Sequence, residues 1–450
     1  MTVSLNEHRE VLSLLDLDPH EVFQIPYEHY RPMQLISMRQ RFHELHDNIP
    51  ILQQAAKRKG ITSIRDERDI IPLLFSHKTY KTYPESYLEN NSWDKMNRWL
   101  SSLSTYDFTK VDVRGVEGID AWLDRLEANG FFVAHSSGTS GKPSFLPKSD
   151  KEMEIFEKIL YHTMVISFRI DPTKKYRIFM LMFEKGFTAM QRGFDAIGKK
   201  VKNGDMIYCF PGRMSADKGR QKALMKRAIA EGKLDPAVAL EKEKAGAAMM
   251  GKAIQQFLMK MKEHQGELSW VFAPEPLLAM MTTKFANLEL TNLLHPDSRI
   301  CYAGGLKGAQ VPPNYKESVM QMFGVSDDCL LDTYGMTEKN AVPVNCPHKH
   351  FHLQPWEIPI LLDKDQKWIN VDNTVGKVEG QYAFFDPSAL TYWGGIITGD
   401  QLTIDFSGCD CGWEGPVIKK IARVTDVGGP DADKLSCSAS FQEYIDEALE

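Results

Sequence analysis

The chain has 450 residues, 43% hydrophobic and 25% charged, which allows two or three packed units and excludes a disordered, collagen-like or coiled-coil protein. A net charge of −6 without a basic stripe argues against nucleic acid as a partner. No apolar run approaches the roughly 20 residues of a membrane span, the start MTVSLNEHREVLSLL lacks signal-peptide features, and the odd count of seven cysteines fits a reducing compartment, so a cytoplasmic protein is expected.

Taken in order, residues 1–130 mix amphipathic helical patterns with proline breaks and read as a helical cap region. An α/β core is expected over 131–355. There FFVAH (131–135) is a short apolar strand that runs into a Gly/Ser-rich loop. Residues 151–169 place Phe156, Ile159, Leu160 and Met164 on one helical face. YRIFMLMF (176–183) reads as a buried strand, and residues 216–264 as a charged helical hairpin broken at Leu234-Asp235-Pro236. WVFAP, RICYAGG and CLLDTYG are further short strands that end in turn signals. Strands interleaved with helices predict an α/β sheet. Residues 356–426 look β-rich, from WINV through GKVEGQYAFFD and GGIITGDQLTIDF to GPVIKKIARVTD, and 427–450 form a short tail.

The strongest chemical signal is Ser136-Ser137-Gly138-Thr139-Ser140-Gly141-Lys142-Pro143-Ser144, directly after a strand. Glycines let the backbone turn tightly and aim N–H groups at an anion, and hydroxyls and a lysine add donors, as a polyphosphate requires. The GxxxxGK[ST] spacing of a Walker A loop is absent. The loop resembles the phosphate loop of the adenylate-forming (ANL) superfamily. Ala303-Gly304-Gly305-Leu306-Lys307, Tyr334-Gly335-Met336-Thr337-Glu338 and Thr398-Gly399-Asp400 resemble three further segments of that family, in the family's order. The resemblance runs from about Phe131 to the C-terminus and leaves residues 1–110 and the 216–264 insert unexplained. Ser144 departs from it, standing where most of the superfamily has lysine; the phenylacetate–CoA ligase branch also lacks that lysine.

The resemblance implies an enzyme that activates a carboxylic acid with ATP and Mg²⁺. Ser137, Gly138, Thr139, Ser140, Gly141 and Lys142 would hold the β- and γ-phosphates, with Gly304, Gly305, Tyr334 and Gly335 around the nucleoside. Thr337 would bond the α-phosphate and Glu338 would hold Mg²⁺, a hard ion that prefers carboxylate oxygen. Asp400 would accept both ribose hydroxyls, and Arg423 with Asp426 fits the family's hinge pattern. Only 50 residues follow Asp400, too few for the family's full lid domain. The expected fold is thus the large N-terminal α/β domain of these enzymes, with layered sheets, a β-rich subdomain and the C-terminal lid absent or minimal.

The last segment, GGPDADKLSCS (428–438), resembles the acyl-protein synthetases, the branch that includes the fatty-acid-activating subunit of the bacterial luminescence reductase complex. Cys437 stands where such a protein carries its acyl-accepting cysteine. Lys434 would lower the thiol's pKa or replace the lid lysine; the alternatives are an inert tail cysteine and a solvated lysine. Cys346, with His348, His350 and His352 nearby, and Cys409-Asp410-Cys411 could close an S₃N zinc site. The candidate ligands are Cys346, His352, Cys409 and Cys411, with His348 or His350 able to replace His352; free thiols and surface histidines are the alternative. The phenylacetate–CoA ligase branch has a similar pattern.

The expected reaction is formation of an acyl-adenylate from a fatty or aryl acid, then acyl transfer to a thiol, with Cys437 as acceptor and an acyl-CoA-reductase-like partner. CoA, a carrier protein or an amine are alternative acceptors, and a nucleotide-binding sensor or scaffold is the reading without catalysis. Pocket residues are expected around Phe183–Phe187, Trp270–Pro274 and Tyr302–Leu306.

Overall fold

A computed structural model describes residues 9–136, 142–306, 311–343, 345–371 and 376–424. Their strands, in chain order, are β1 (Phe75–Ser76), β2 (Phe132–His135), β3 (Phe145–Lys148), β4 (Arg177–Lys185), β5 (Ile207–Arg213), β6 (Ser269–Pro274), β7 (Arg299–Ala303), β8 (Leu330–Thr333), β9 (Phe351–His352), β10 (Ile358–Leu362), β11 (Lys377–Phe385), β12 (Gly395–Asp405) and β13 (Val417–Arg423). WINV, expected as a strand, contributes only an isolated bridge from Trp368 to Leu362. The chain falls into two compact units. One holds the described residues before 137, from 142 to 159 and after 335; the other holds those from 160 to 335.

The first unit is built on a sheet of order β10-β11-β12-β13-β9, antiparallel throughout, with β1 paired in parallel to the start of β12. Residues near the N-terminus are stitched into it. Gln34 donates to the Pro355 carbonyl (2.7 Å), Arg41 to Pro387 (2.7 Å), Tyr80 to Trp393 (2.8 Å), and Trp393 donates back to Leu73 (2.8 Å). Their aromatic neighbours, Trp93, Trp99, Trp122 and Tyr83, are fully buried. β2 and β3 form a separate hairpin.

β3 delivers Lys148 to the interior, and Ser149 starts the next helix by accepting the Glu152 amide proton (3.1 Å). Lys148 and Glu152, one turn apart, then pair at 2.7 Å with no exposed side-chain surface. Charges so placed require full satisfaction. Lys148 also donates to Asn340 Oδ1 (2.8 Å), while Glu152 Oε2 accepts from the Leu390 amide (3.1 Å) and the Thr391 hydroxyl (3.0 Å).

The second unit is a five-stranded parallel sheet of order β5-β4-β6-β7-β8. Parallel strands need crossovers, and helices Ala189–Val201, Pro236–Glu263, Glu275–Lys284 and Tyr315–Phe323 stand between successive strands. Ile254, Phe257, Leu258 and Met261, spaced to share one helical face, pack with Phe179, Val271 and Ile300 of the sheet. The helix Ala216–Ala230 buries only Ala216, so the hairpin's first arm is a solvated face. Cys209, Cys301 and Cys329 are buried in this unit. Among the described residues no helix is long and apolar enough to cross a membrane.

Removing one member of the Lys148–Glu152 pair strands the other in a dry interior. Lys148→Met is expected to lower unfolding free energy by about 3–5 kcal/mol, and adding Glu152→Leu to restore part of it. Urea unfolding of the three proteins checks this; equal losses in single and double variants would refute the buried-charge account.

Candidate active site and metal cluster

The residues 137–141 of the Gly/Ser loop lie outside the described residues, as do Lys307, Lys434 and Cys437. The loop's neck is described. The Ser136 amide donates to the Ser144 carbonyl (3.0 Å), and the Ser144 amide to Ser136 Oγ (2.9 Å). These bonds close the β2–β3 hairpin so that seven residues leave and return at one point. Lys142 lies over the Tyr83 ring at 5.0 Å, and Tyr83 donates to the Pro143 carbonyl (2.7 Å). Burial lowers the Lys142 pKa.

Glu338 is buried, and burial pushes its carboxyl pKa up. Ser144 Oγ donates to Glu338 Oε1 (3.1 Å), and Tyr392 donates to the Glu338 backbone carbonyl (3.2 Å). The loop neck and the YGMTE glutamate therefore meet through the serine that departs from the superfamily pattern. Thr337 beside it is half-buried. A buried carboxyl group held by one serine hydroxyl offers oxygen of the kind a hard divalent cation prefers.

Thr398-Gly399-Asp400 sits where the ladder of β12 breaks. On one side Gln401 pairs with Gln381 and Ile397 with Ala383, so three residues of β12 face Tyr382 alone. On the other side β1 pairs with 396–397 and β13 takes over from Asp400. The irregularity is filled by side chains: Thr398 Oγ1 donates to the Tyr382 carbonyl (2.7 Å) and accepts the Asp400 amide proton (3.1 Å). Asp400 Oδ1 accepts from Arg423 Nη1 at 2.9 Å, the Arg423 side chain being two-thirds exposed. A bulge that re-aims a side chain is a common device at binding sites.

In the second unit, Gly304 and Gly305 follow β7 with φ of 88° and 56°, a region that favours glycine. Half-buried Tyr334 and exposed Gly335 follow β8. Of the expected pocket segments, 183–187 and 302–306 lie at the carboxyl ends of β4 and β7, where open parallel sheets bind ligands, and 270–274 makes up nearly all of β6. A polar group missed in the sequence is present there. Tyr315 bonds Glu275, Lys316 donates to Tyr302 Oη (3.0 Å), and Thr333 Oγ1 to the Tyr302 carbonyl (3.1 Å). Burial, reinforced by Glu275, raises the Asp332 pKa to about 6. No local pattern marks this cluster, because its members come from four separate segments.

Cys346, His352, Cys409 and Cys411 are brought together, with one ligand atom from each all within 4.8 Å. Cys346 and Cys409 sulfurs are 3.9 Å apart, and Cys411 Sγ is 3.2 Å from His352 Nε2. Tetrahedral zinc with bonds of about 2.3 Å to sulfur needs ligand spacings near ~3.8 Å. His350 and His348 approach Cys409 at 3.5 and 4.0 Å but stand outside the four-atom cluster. Burial holds His352 down to about 4, which keeps it neutral, and the Trp413 amide donates to Cys411 Sγ (3.4 Å). The donor set fits zinc.

No family model matches the chain, and no curated protein matches it significantly in sequence. The fold is shared with 2-hydroxyisobutyryl-CoA ligase. An open conformation of that ligase with 2-HIB-AMP and CoA superposes with a TM-score of 0.55 at 10% identity, over 94% of this chain and 84% of the ligase. Its thioester-forming state, with the same ligands, gives 0.52 at 10% identity over 90% and 70%. Its postadenylation state with R3-HIB-AMP gives 0.50 at 9% identity over 88% and 68%. The mixed α/β architecture expected of an adenylate-forming enzyme is therefore the observed one.

A carboxyl group whose folded pKa is raised stabilises the fold below its unfolded pKa, near 3.8, and loses that contribution as pH climbs through about 6. The stability difference between the wild type and Asp332→Asn is expected to shift against the wild type across that window. Urea midpoints of both proteins at pH 4 and pH 7 check it; a constant difference would refute it.

Proposed function

We propose that the protein is an ATP-dependent acyl-adenylate-forming ligase that passes its acyl group to a thiol. The observation that carries this reading is the fold it shares with a ligase holding acyl-AMP and CoA, in a chain whose four family-like segments keep their order. A substrate carboxylate oxygen attacks the α-phosphorus of ATP, and the bond to the bridging oxygen breaks, releasing pyrophosphate. A thiolate then attacks the acyl carbonyl, and the bond to AMP breaks.

The chain's own residues divide this work. The 137–142 loop would hold the β- and γ-phosphates. Thr337 would donate to the α-phosphate, and Glu338, set by Ser144 and Tyr392, would hold Mg²⁺, which offsets phosphate charge when bound. Asp400 would accept the ribose hydroxyls, turned toward them by the break in β12, with Arg423 steadying its other oxygen. Tyr334, Gly304, Gly305 and Gly335 would surround the nucleoside, and the apolar ends of β4, β6 and β7 would take the acid. Zinc would be structural, tying the loop after YGMTE to the turn before β13 through Cys346, His352, Cys409 and Cys411.

For the thiol we favour Cys437, assisted by Lys434, as in an acyl-protein synthetase that serves a reductase-like partner. External CoA is the second reading, favoured by the CoA in the matching ligase; a carrier protein would present the same thiol chemistry.

Incubation with Mg-ATP, pyrophosphate and pooled fatty and aryl acids is expected to give acid-dependent ATP–pyrophosphate exchange. Losing charge-assisted hydrogen bonds to the ribose is expected to cost Asp400→Ala roughly 10–100-fold. No exchange with any acid, beside tight ATP binding, would replace the ligase with a nucleotide sensor. Intact-mass spectrometry without CoA then identifies the acceptor: an acyl adduct on the wild type that Cys437→Ala lacks establishes the internal thiol. Metal analysis is expected to find about one zinc per chain, and less in Cys409→Ser.

A further inference from the structure

The helical hairpin over residues 216–264 lies in the second unit, and neither the family-like segments nor the proposed reaction gives it a task. It carries eleven lysines and arginines against six aspartates and glutamates, in a chain whose net charge is −6. Between its arms, the helices Ala216–Ala230 and Pro236–Glu263, runs a groove of about 870 Å³. Met225 of the first arm, Leu234 of the connection and Met250 of the second arm line it, and Met250 also packs against the core of this unit. Methionine side chains are flexible and polarizable, which suits a surface that receives a partner.

Lys218, Lys222 and Lys226 line the same groove and are exposed. Their spacing of four residues sets them on one ridge of the first arm, about 6 Å apart along its axis. Among the described residues none of the three ammonium groups has a carboxylate partner; Glu231, at the end of that arm, is held instead by Arg227 and Lys233. Across the groove the second arm contributes Gly246 and Ala247, both exposed, and a Cβ on Gly246 would stand in open space. Met249, three residues further on the same side of that helix, is 76% exposed. Apolar groups left to water beside a row of like charges mark a surface that a complementary partner would stabilise.

We propose that this groove is a docking site for an acidic amphipathic helix of a partner protein. Charge complementarity selects that occupant. A helix with a carboxylate at every fourth position presents its charges at the same repeat of about 6 Å as the lysines, while its apolar face, at i, i+3, i+4 and i+7, enters between the arms. Small Gly246 and Ala247 let its backbone come close. A fatty acyl chain laid in the groove would keep one side in water, because both rims are exposed; a helix covers that side with its own polar face. Nucleic acid would find no aromatic ring to stack on, since none lines the groove. A flat bilayer would meet the lysine rim and leave the half-buried Met225, Leu234 and Met250 untouched. The inference stands apart from the ligase reading and does not require it.

Fluorescence anisotropy on the full chain tests this with a labelled peptide of Leu, Ala and Glu, about 18 residues long, whose leucines repeat at i, i+3, i+4 and i+7 and whose glutamates stand at every fourth position of the opposite face. The control peptide has Gln in place of each Glu. The proteins are the wild type, a triple variant with Lys218→Glu, Lys222→Glu and Lys226→Glu, and Gly246→Phe, which fills the groove and replaces a poor helix former by a better one; thermal midpoints control for folding. The wild type is expected to bind the acidic peptide with a micromolar Kd, and the Gln peptide at least about tenfold more weakly. Each variant is expected to bind the acidic peptide at least about tenfold more weakly than the wild type does. No binding by the wild type, equal binding of the two peptides, or undiminished binding by the triple variant overturns the proposal. Loss in the triple variant with full binding by Gly246→Phe shows charge attraction outside the groove and overturns it too. A wild type that ignores the peptide but binds vesicles of phosphatidylcholine and phosphatidylserine, three parts to one, replaces the helix with a membrane surface. A wild type that ignores the peptide and sediments as a dimer, beside a monomeric triple variant, replaces it with a second copy of this chain.

Discussion

The Lys148–Glu152 pair is the constraint around which the first unit is arranged. Two opposite charges with no solvent contact hold only if every remaining donor and acceptor has a partner. The partners come from far along the chain: Asn340 just after YGMTE, and Leu390 and Thr391 before β12. Tyr392, next in that turn, has its ring 5.0 Å from the Lys148 ammonium and its hydroxyl on the Glu338 carbonyl. Satisfying one buried charge thus fixes the backbone that presents the proposed metal ligand. A phosphate site must hold its donors to within a fraction of an ångström, and a desolvated network has few alternative arrangements to drift into.

The two units bring different chemistry. The first carries its polar groups on an antiparallel sheet and a closed hairpin neck, where ladder breaks and turns aim single side chains. The second gathers Glu275, Asp332 and Lys316 near the carboxyl ends of its parallel strands, beside a largely apolar core. Apolar walls with a small number of buried polar atoms favour orientation and selectivity over charge binding. The division agrees with the proposed reaction, which needs strong anion contacts for ATP and shape for the acid.

What the sequence disclosed was local. Strands β4, β6, β7 and β8 were legible as apolar runs before turns, and the 216–264 hairpin by its proline break. The four cysteine and histidine ligands stood out because thiols in close pairs are chemically distinctive, and folding places them within one cluster. β1, β5 and β9 were not legible: two are two-residue strands, and β5 ends in Pro-Gly-Arg, which reads as a turn. WINV has strand composition, but after the turn at Gln366 it pairs back with β10 only through the Trp368–Leu362 bridge and the Ile369 amide on the Leu361 carbonyl, too short a pairing to make a strand. Buried networks were illegible for another reason. Lys148 and Ser144 are ordinary polar residues in sequence, and only the fold decides which is buried in a pair and which positions a neighbour.

The N-terminal region shows this most clearly. Its helical patterns read as a cap because amphipathic spacing reports that a face is covered and not by what. The structure answers through backbone pairing: β1 joins β12 in parallel at Ile396 and Ile397, immediately before Thr398. β13 pairs with the same strand from Asp400 onward, so the strand is held on both sides of the TGD turn. A slip of one residue in either pairing would send every side chain of that stretch to the opposite face. The bulge opposite Tyr382 lies in the third pairing of this strand, with β11, and the Thr398 hydrogen bonds that fill it set Asp400. The short strand from the N-terminal region therefore does for the ribose-binding candidate what Tyr80 does for the Glu338 segment, through Tyr392, and Tyr83 for the loop neck. A segment outside the family-like motifs fixes the register within which those motifs can act.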